Sequence, residues 1–133
     1  MKTTFVDSGL LLAVAQGEDD VYEEALAVLD DPEREFVSSV YVRLEVLPVA
    51  HRFKRGDELE IYEAFFGDVS RWVPSSPELS NRALVLGCAY GLGAVDALHV
   101  AAAEAEGAEV VTSESPTKPM FLVTSIKTTS IRQ

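Results

Sequence analysis

Short runs of apolar and β-branched residues alternate with longer stretches of helical pattern, and this alternation restricts the fold more than any other feature. Strands are predicted at residues 2–6, 35–38, 71–74 and 109–112, with one or two more within 121–131. Helices are predicted at residues 9–16, 21–29, 40–54, 58–70, 75–90 and 94–106. Because strands alternating with helices favour right-handed crossovers, we predict an α/β fold: a three-layer α/β/α sandwich with a mainly parallel central sheet.

Small polar residues and prolines mark the predicted helix boundaries. Ser8 is suited to cap the first helix. Ser38 or Ser39 is suited to cap the helix that begins near residue 40, and Asp57 is suited to cap the helix after it. Residues 17–20 are predicted to separate the first two helices. Pro48 lies inside the stretch 40–54, so we expect a kink or a short break there.

Size and composition indicate one globular domain over residues 1–133. The hydrophobic fraction of 47% is ordinary for such a domain. No apolar run is long enough to span a membrane, and Asp7 interrupts the only apolar stretch near the start, so we expect neither a signal peptide nor a membrane segment. One cysteine, Cys88, excludes a disulfide framework within the chain. These features predict a cytoplasmic protein.

The charge is strongly acidic and unevenly distributed. A net charge of −11 argues against a broad basic face that grips nucleic acid, although bound metal ions can invert the local field at a carboxylate site. The basic residues concentrate in one stretch, with Arg43, His51, Arg52, Lys54 and Arg55. This stretch is either a small positive stripe or an ordinary solvated helix face.

Four carboxylates stand out because of their positions. Sites in open parallel sheets form outside the carboxyl ends of the strands, where Asp7 ends the first strand and Glu114 follows the strand at 109–112. Glu45 lies on the helix after the second strand, and Asp96 lies in the first turn of its helix. Asp7, Glu45 and Asp96 have apolar neighbours, and a buried carboxylate must be capping, paired or bound to a metal.

Each of these acids also has an ordinary structural explanation. Asp7 could cap a helix, and Asp96 could stabilise a helix N-terminus. Glu45 could pair with Arg43 or Arg52. The sequence leaves these alternatives open when each acid is considered alone.

Four segments together carry a resemblance to a known family. They are residues 5–11 (FVDSGLL), 38–45 (SSVYVRLE), 94–101 (AVDALHVA) and 110–114 (VVTSE). In this order, they resemble the four motifs of PIN domains, a family that includes VapC-like toxins of toxin–antitoxin modules. The chain departs from the fourth motif, usually Thr-x-Asp, because it carries Glu114.

The resemblance implies a single PIN-like domain that hydrolyses RNA phosphodiester bonds with Mg²⁺ or Mn²⁺. It implies that Asp7 and Asp96 are primary metal ligands, that Glu45 binds metal directly or through water, and that Glu114 helps to hold a second ion. Ser8 and Thr112 would orient carboxylates or waters. An antitoxin protein and a homodimer are further implied. Aromatic residues on two helices could line an antitoxin groove, although core packing explains them equally well: Tyr41, Phe53, Tyr62, Phe65 and Phe66.

Other functions compete with this interpretation. The chain could be a PIN fold that has lost catalysis and serves as a binding module. It could be a phosphoacceptor domain that uses Asp7, but the sequence offers no clear partner acid and lysine. His99 could be a general base, but two-metal hydrolysis does not need one, and a structural hydrogen bond suits His99 better. Cys88 and His99 could suggest a thiol nucleophile, but Cys88 has the sequence context of a core residue. The segment 91–93 lacks the third glycine of a dinucleotide loop.

Overall fold

The alternation of strands and helices is confirmed in the computed structural model, which describes residues 1–17 and 20–132. The strands are β1 (Lys2–Val6), β2 (Arg34–Ser39), β3 (Arg71–Val73), β4 (Glu109–Thr112) and β5 (Thr128–Ser130). The α-helices are α1 (Ser8–Gln16), α2 (Tyr22–Leu29), α3 (Val40–Arg52), α4 (Gly56–Asp68), α5 (Pro77–Tyr90) and α6 (Ala94–Ala105). The loop predicted at residues 17–20 lies partly outside the described residues.

The five strands form one sheet in the order β3-β2-β1-β4-β5, and every neighbouring pair is parallel. The chain moves from β1 through β2 to β3 in one direction, and then returns across the sheet to β4. Right-handed crossovers therefore place α1–α4 on one face and α5–α6 on the other, which confirms the predicted α/β/α sandwich. The strand order reverses beside β1, and a crevice forms at the carboxyl ends of β1 and β4.

The core is centred on β1 and its covering helices. Phe5 and Val6 are fully buried, as are the β4 residue Val110 and the α1 residue Leu10. Helix α6 contacts β1, β2 and β4 through small side chains. Its buried alanines (Ala97, Ala101, Ala102 and Ala103) allow the helix to lie close to the sheet, so its first turn is held near the crevice.

Two local predictions differ from the structure. The residue that caps α1 is Asp7 rather than Ser8, because its side chain accepts a hydrogen bond from the Leu10 backbone N–H. Helix α3 continues through Pro48 without a break. Proline removes the hydrogen bond to the Leu44 carbonyl, but Leu44 and Pro48 both lie on the exposed side of the helix, where water can bond to that carbonyl.

The other boundaries shift only slightly. Ser39 caps α3 as predicted, accepting from the Tyr41 N–H at 3.3 Å. Helix α4 begins at Gly56, so the predicted cap Asp57 lies within its first turn. In the region 121–131 the structure has one strand, β5, preceded by a 3₁₀ turn at Pro119–Leu122.

Among the described residues, no single helix is long and apolar enough to cross a membrane. Helices α5 and α6 together satisfy the criteria of length and composition, but they are bent by 115° at the break between them.

Candidate active site

Asp7 lies at the reversal of strand order and is almost fully buried. It is 4% exposed, and one carboxylate oxygen caps α1 by accepting the Leu10 N–H at 3.0 Å. The other oxygen accepts a hydrogen bond from the Thr112 hydroxyl at the end of β4, at 2.5 Å. Burial raises the pKa of Asp7 from 3.8 to about 6, although both hydrogen bonds oppose this rise. The capping role that the sequence offered as an alternative for Asp7 is therefore confirmed. The two hydrogen bonds only partly offset the cost of burying an ionised Asp7 carboxylate.

Glu45 is held at the same crevice by two side-chain donors. The Ser8 hydroxyl donates to Glu45 Oε1 at 2.5 Å, and His99 Nε2 lies 2.6 Å from the same oxygen. Burial alone would raise the pKa of Glu45, but the hydrogen bonds to His99 and Ser8 outweigh it, and the pKa is lowered. An ion pair of Glu45 with Arg43 or Arg52 is absent from the described part of the chain. Glu45 is therefore ionised and fixed in direction.

His99 connects the helix of Asp96 to the carboxylate of Glu45. Its side chain is 1% exposed and its ring packs against Phe5, with centroids 5.5 Å apart. Because the Glu45 carboxylate accepts, Nε2 carries the hydrogen in this contact. Nδ1 is buried and has no hydrogen-bond partner among the described residues. The structural hydrogen bond predicted for His99 is thus present, and its acceptor is Glu45, which the sequence did not indicate.

Glu114 and Asp96 both line a small cleft of about 200 Å³. The Glu114 backbone N–H donates to the Thr112 hydroxyl at 2.9 Å, so Thr112 joins this segment to Asp7. Glu114 is close enough to Asp7 to raise its pKa slightly. Asp96 is exposed in the first turn of α6, and Lys118 also lines the cleft.

The four predicted acids thus fall into two groups that share Glu114. Asp7 interacts with Glu114 through space and adjoins Ser8, which bonds Glu45, whereas Asp96 shares the cleft with Glu114. Among residues 1–17 and 20–132, no group of three or more His, Cys, Asp or Glu side chains lies close enough together to hold a metal ion. A cation at this edge would therefore need water or substrate oxygens to complete its coordination.

Cys88 does not line this cleft. It is exposed, so its predicted place in the core was wrong. It lines a larger groove of about 550 Å³ between α5 and α6, whose other lining residues include Leu84 and Leu98. Since that groove is apolar and contains no carboxylate, the chemistry is better supported at the smaller cleft.

Gly9 is a site residue that the sequence reasoning missed, and it is needed for close approach rather than for its backbone angle. A Cβ at this position would lie 2.8 Å from Ser113 Oγ and 3.7 Å from Asp7 Oδ1. In the sequence, the only indication of this role is that a glycine predicted to be helical lies two residues after Asp7.

We expect Gly9→Ala and Ser113→Ala to be coupled. Alanine favours the helix by about 1 kcal/mol, but in the wild-type background its methyl group displaces Ser113 Oγ. In the Ser113→Ala background that obstacle is absent, so Gly9→Ala should be more favourable by about 1 kcal/mol. Urea unfolding midpoints of both single variants and the double variant measure the coupling, and strictly additive effects would contradict the contact.

Comparisons with known proteins agree with this geometry. A sequence model described as PIN domain matches residues 4–115. No curated protein sequence gives a significant match. The fold is similar to that of VapBC2 from Rickettsia felis bound to a DNA fragment from their promoter, with TM-score 0.74, 16% identity, and 96% of this chain and 98% of that chain covered.

Two further solved structures share the fold. A toxin–antitoxin complex from Klebsiella pneumoniae has a TM-score of 0.74 at 19% identity, with 98% of each chain covered. Mycobacterium tuberculosis VapC20, described as a sarcin-ricin loop cleaving toxin, has a TM-score of 0.67 at 18% identity, with 90% of this chain and 94% of that chain covered. Since the PIN domain match extends over most of the sequence and the strand order places Asp7 at its centre, the chain belongs to the PIN-domain family.

Proposed function

We propose that this PIN-domain chain is a metal-dependent endoribonuclease that hydrolyses RNA phosphodiester bonds as the toxin of a type II toxin–antitoxin module. The observation that carries the proposal is the buried carboxylate of Asp7 at the reversal of strand order, with its pKa raised to about 6 and Glu114 nearby. Perturbed carboxylates concentrate at functional sites.

The residues at this edge fit a hard divalent cation. The donors of Asp7, Glu45, Asp96 and Glu114 are all carboxylate oxygens, which Mg²⁺ and Mn²⁺ prefer. Burial disfavours the ionised form of Asp7, and a nearby cation would favour it. Mg²⁺ commonly binds through one or two carboxylates and retains several waters, so the absence of a close three-residue group among the described residues is compatible with it.

Each residue has a distinct role in the proposed hydrolysis. Asp7 and Asp96 hold the metal, and Glu45 binds it directly or through a water. Glu114 contributes to a second position, although its longer side chain differs from the usual aspartate. Ser8 and Thr112 keep the carboxylates of Glu45 and Asp7 in fixed directions through hydrogen bonds. When bound, Mg²⁺ or Mn²⁺ supplies positive charge for the attacking and leaving oxygens of an in-line displacement.

The proposed toxin role is supported by the fold shared with toxin–antitoxin proteins. An antitoxin is accordingly the proposed protein partner. Of the aromatic residues considered for its groove, Tyr62, Phe65 and Phe66 are buried in the core, whereas Phe53 is 57% exposed. The homodimer, the cytoplasmic location and a single domain over residues 1–133 stay predictions.

The decisive experiment is cleavage of a mixed pool of structured RNAs by the purified chain with Mn²⁺, Mg²⁺ or chelator. Asp7→Asn and Asp96→Asn are assayed beside it. Metal-dependent cleavage that both variants lose would support the nuclease and its site. Equal cleavage by the variants would indicate a contaminant and contradict the assignment.

A catalytically inactive binding module is the second candidate. The presence of Glu114 where the fourth motif usually has aspartate and the strongly acidic net charge favour this candidate. Folded protein that binds an antitoxin but cleaves no RNA in the pool or in total cellular RNA would support this alternative over the nuclease.

We expect Mg²⁺ or Mn²⁺ to raise the melting temperature of the wild-type chain. A ligand that binds only the folded state at about 30 times its Kd stabilises by about 2 kcal/mol, which is several degrees for a domain of this size. Thermal scans in chelator and in 10-fold steps of metal measure the shift, with NaCl at matched ionic strength as control. An unchanged melting temperature at millimolar metal would contradict the site.

A further inference from the structure

An exposed aromatic ring with two guanidinium neighbours lies where α3 turns into α4. We call residues 51–56 the α3–α4 corner. Phe53 ends α3 and is 57% exposed. The guanidinium carbons of Arg52 and Arg55 each lie 5.3 Å from the centre of its ring. Both guanidinium groups lie over the ring, so the aromatic and guanidinium planes together offer a surface on which unpaired bases can stack.

The backbone of this corner is strained at a positively charged residue, Lys54. Lys54 has φ 53°, and it is the only non-glycine residue in the described chain with a positive φ. Its N–H bonds the His51 carbonyl at 3.2 Å and the Arg55 N–H bonds the Ala50 carbonyl at 2.9 Å, which is the helix ending that normally takes glycine. The left-handed conformation costs a non-glycine residue about 1–2 kcal/mol. Strain of this kind is commonly retained for function.

The corner also concentrates positive charge on a chain of net charge −11. Within the described residues, Arg52 and Lys54 have no ion-pair partner, and Arg55 has only a long contact of 3.8 Å with Glu58. Elsewhere Arg34, Arg71 and Arg82 are engaged by carboxylates at 2.5–3.3 Å. The cations of the corner are therefore available to an external anion.

The corner is connected to the candidate active site by helix α3. Phe53 follows Glu45 by eight residues along α3, which corresponds to about 12 Å along the axis. A flexible polyanion bound at the site can therefore extend to the corner, whereas the acidic surface elsewhere repels it.

We propose that the α3–α4 corner binds single-stranded RNA, with an unpaired base stacked at Phe53 and phosphates against Arg52, Lys54 and Arg55. It deepens the proposed nuclease function by adding a contact that positions the substrate strand. This contact accounts for both the exposed ring and the lysine at a glycine position. Because it is a binding claim, it can be tested without cleavage.

The test measures fluorescence anisotropy of a labelled 12-nucleotide single-stranded RNA with the full chain carrying Asp7→Asn. Phe53→Leu keeps an apolar side chain but removes the π face, and we expect RNA affinity about tenfold weaker; Phe53→Trp should restore it. Lys54→Gly suits the left-handed backbone, so it should keep the fold while removing the cation. Together with Arg52→Gln, it should make the slope of log affinity against log salt shallower by about 0.7 per lost phosphate contact.

Matched controls separate the corner from general surface effects. Arg82→Gln changes the charge equally on α5, and Trp72→Leu removes another exposed ring, 40% exposed and beside Arg43. Neither should change RNA affinity. Equal RNA affinity of Phe53→Leu and its parent, or no RNA binding, would overturn the proposal. Binding of a glutamate-rich peptide at Phe53 in place of RNA would also overturn it and indicate a protein-docking surface.

Cleavage and binding fail in distinguishable ways. If the wild-type chain does not cleave RNA but its affinity depends on Phe53 and Lys54, the nuclease proposal fails and the corner stands. If the wild-type chain and the Phe53→Leu variant cleave RNA with the same KM, the nuclease proposal stands and the proposal for the corner is overturned.

Discussion

Asp7→Asn is expected to reduce metal-dependent RNA cleavage by at least about a thousandfold while making the metal-free chain more stable at pH 8. The loss corresponds to about 4 kcal/mol of transition-state stabilisation. Asparagine keeps an oxygen that can cap α1 at Leu10, and asparagine is a good capping residue. It lacks the charge that the buried site opposes, so function and stability should change in opposite directions.

The pH dependence follows from the raised pKa of Asp7. Between pH 4 and pH 6 the folded chain holds a proton at Asp7 that the unfolded chain has released, so stability falls as pH rises through this window. The rise from 3.8 to about 6 corresponds to an upper limit of about 3 kcal/mol, fully lost above pH 6. Other carboxylates titrate in the same range, and the difference between wild type and Asp7→Asn isolates this contribution.

Urea unfolding in chelator at pH 4, 5, 6, 7 and 8 measures that difference. We expect the stability of Asp7→Asn relative to wild type to increase as pH rises, by about 1–2 kcal/mol at pH 8. This gain is smaller than the upper limit because the new amide satisfies Thr112 less well than the carboxylate does. Metal should raise the melting temperature of wild type and leave that of the variant nearly unchanged. A variant that is less stable than wild type at pH 8 would show that capping and the Thr112 bond outweigh the burial of charge.

The sequence predicted the elements whose pattern is local. A short β-branched strand ended by Asp7 can be recognised without tertiary information, and the alternation of strands and helices determines the sheet. The positions of Glu114 after β4 and of Asp96 in the first turn of α6 follow from the same pattern. Strand ends in a parallel sheet share an edge, so the placement of Glu114 near Asp7 was predictable.

What the sequence did not reveal depends on contacts between distant residues. Both Asp7 and Ser8 have side chains that can cap a helix, and the sequence pattern favours Ser8. The structure gives the capping role to Asp7 and leaves the Ser8 hydroxyl for Glu45. The acceptor of His99 lies 54 positions away, so no periodicity identifies it. Cys88 has apolar neighbours but faces the open groove between two helices, which the pattern of a single helix does not distinguish from the core.

His99→Leu is expected to lower kcat by about 10–100-fold with little change in folding stability. Leucine removes the Nε2–H donor, so Glu45 keeps only the Ser8 hydroxyl and its carboxylate can turn towards water. Stability should change little because the Glu45 side chain is 37% exposed and keeps the Ser8 hydroxyl, so water can replace the lost donor, and leucine also removes the buried, unpartnered Nδ1.

His99→Gln separates the positioning role from simple packing. Its amide can place an N–H near the original Nε2, so it should recover most of the kcat that leucine loses, although it fills the space beside Phe5 less well. If His99 acts through Glu45, the leucine variant loses kcat more than KM changes, and it needs more Mn²⁺ for half-maximal rate. If both variants lose activity in proportion to stability, packing is the only role of His99. Equal activity of His99→Leu and wild type would mean that Ser8 alone directs Glu45.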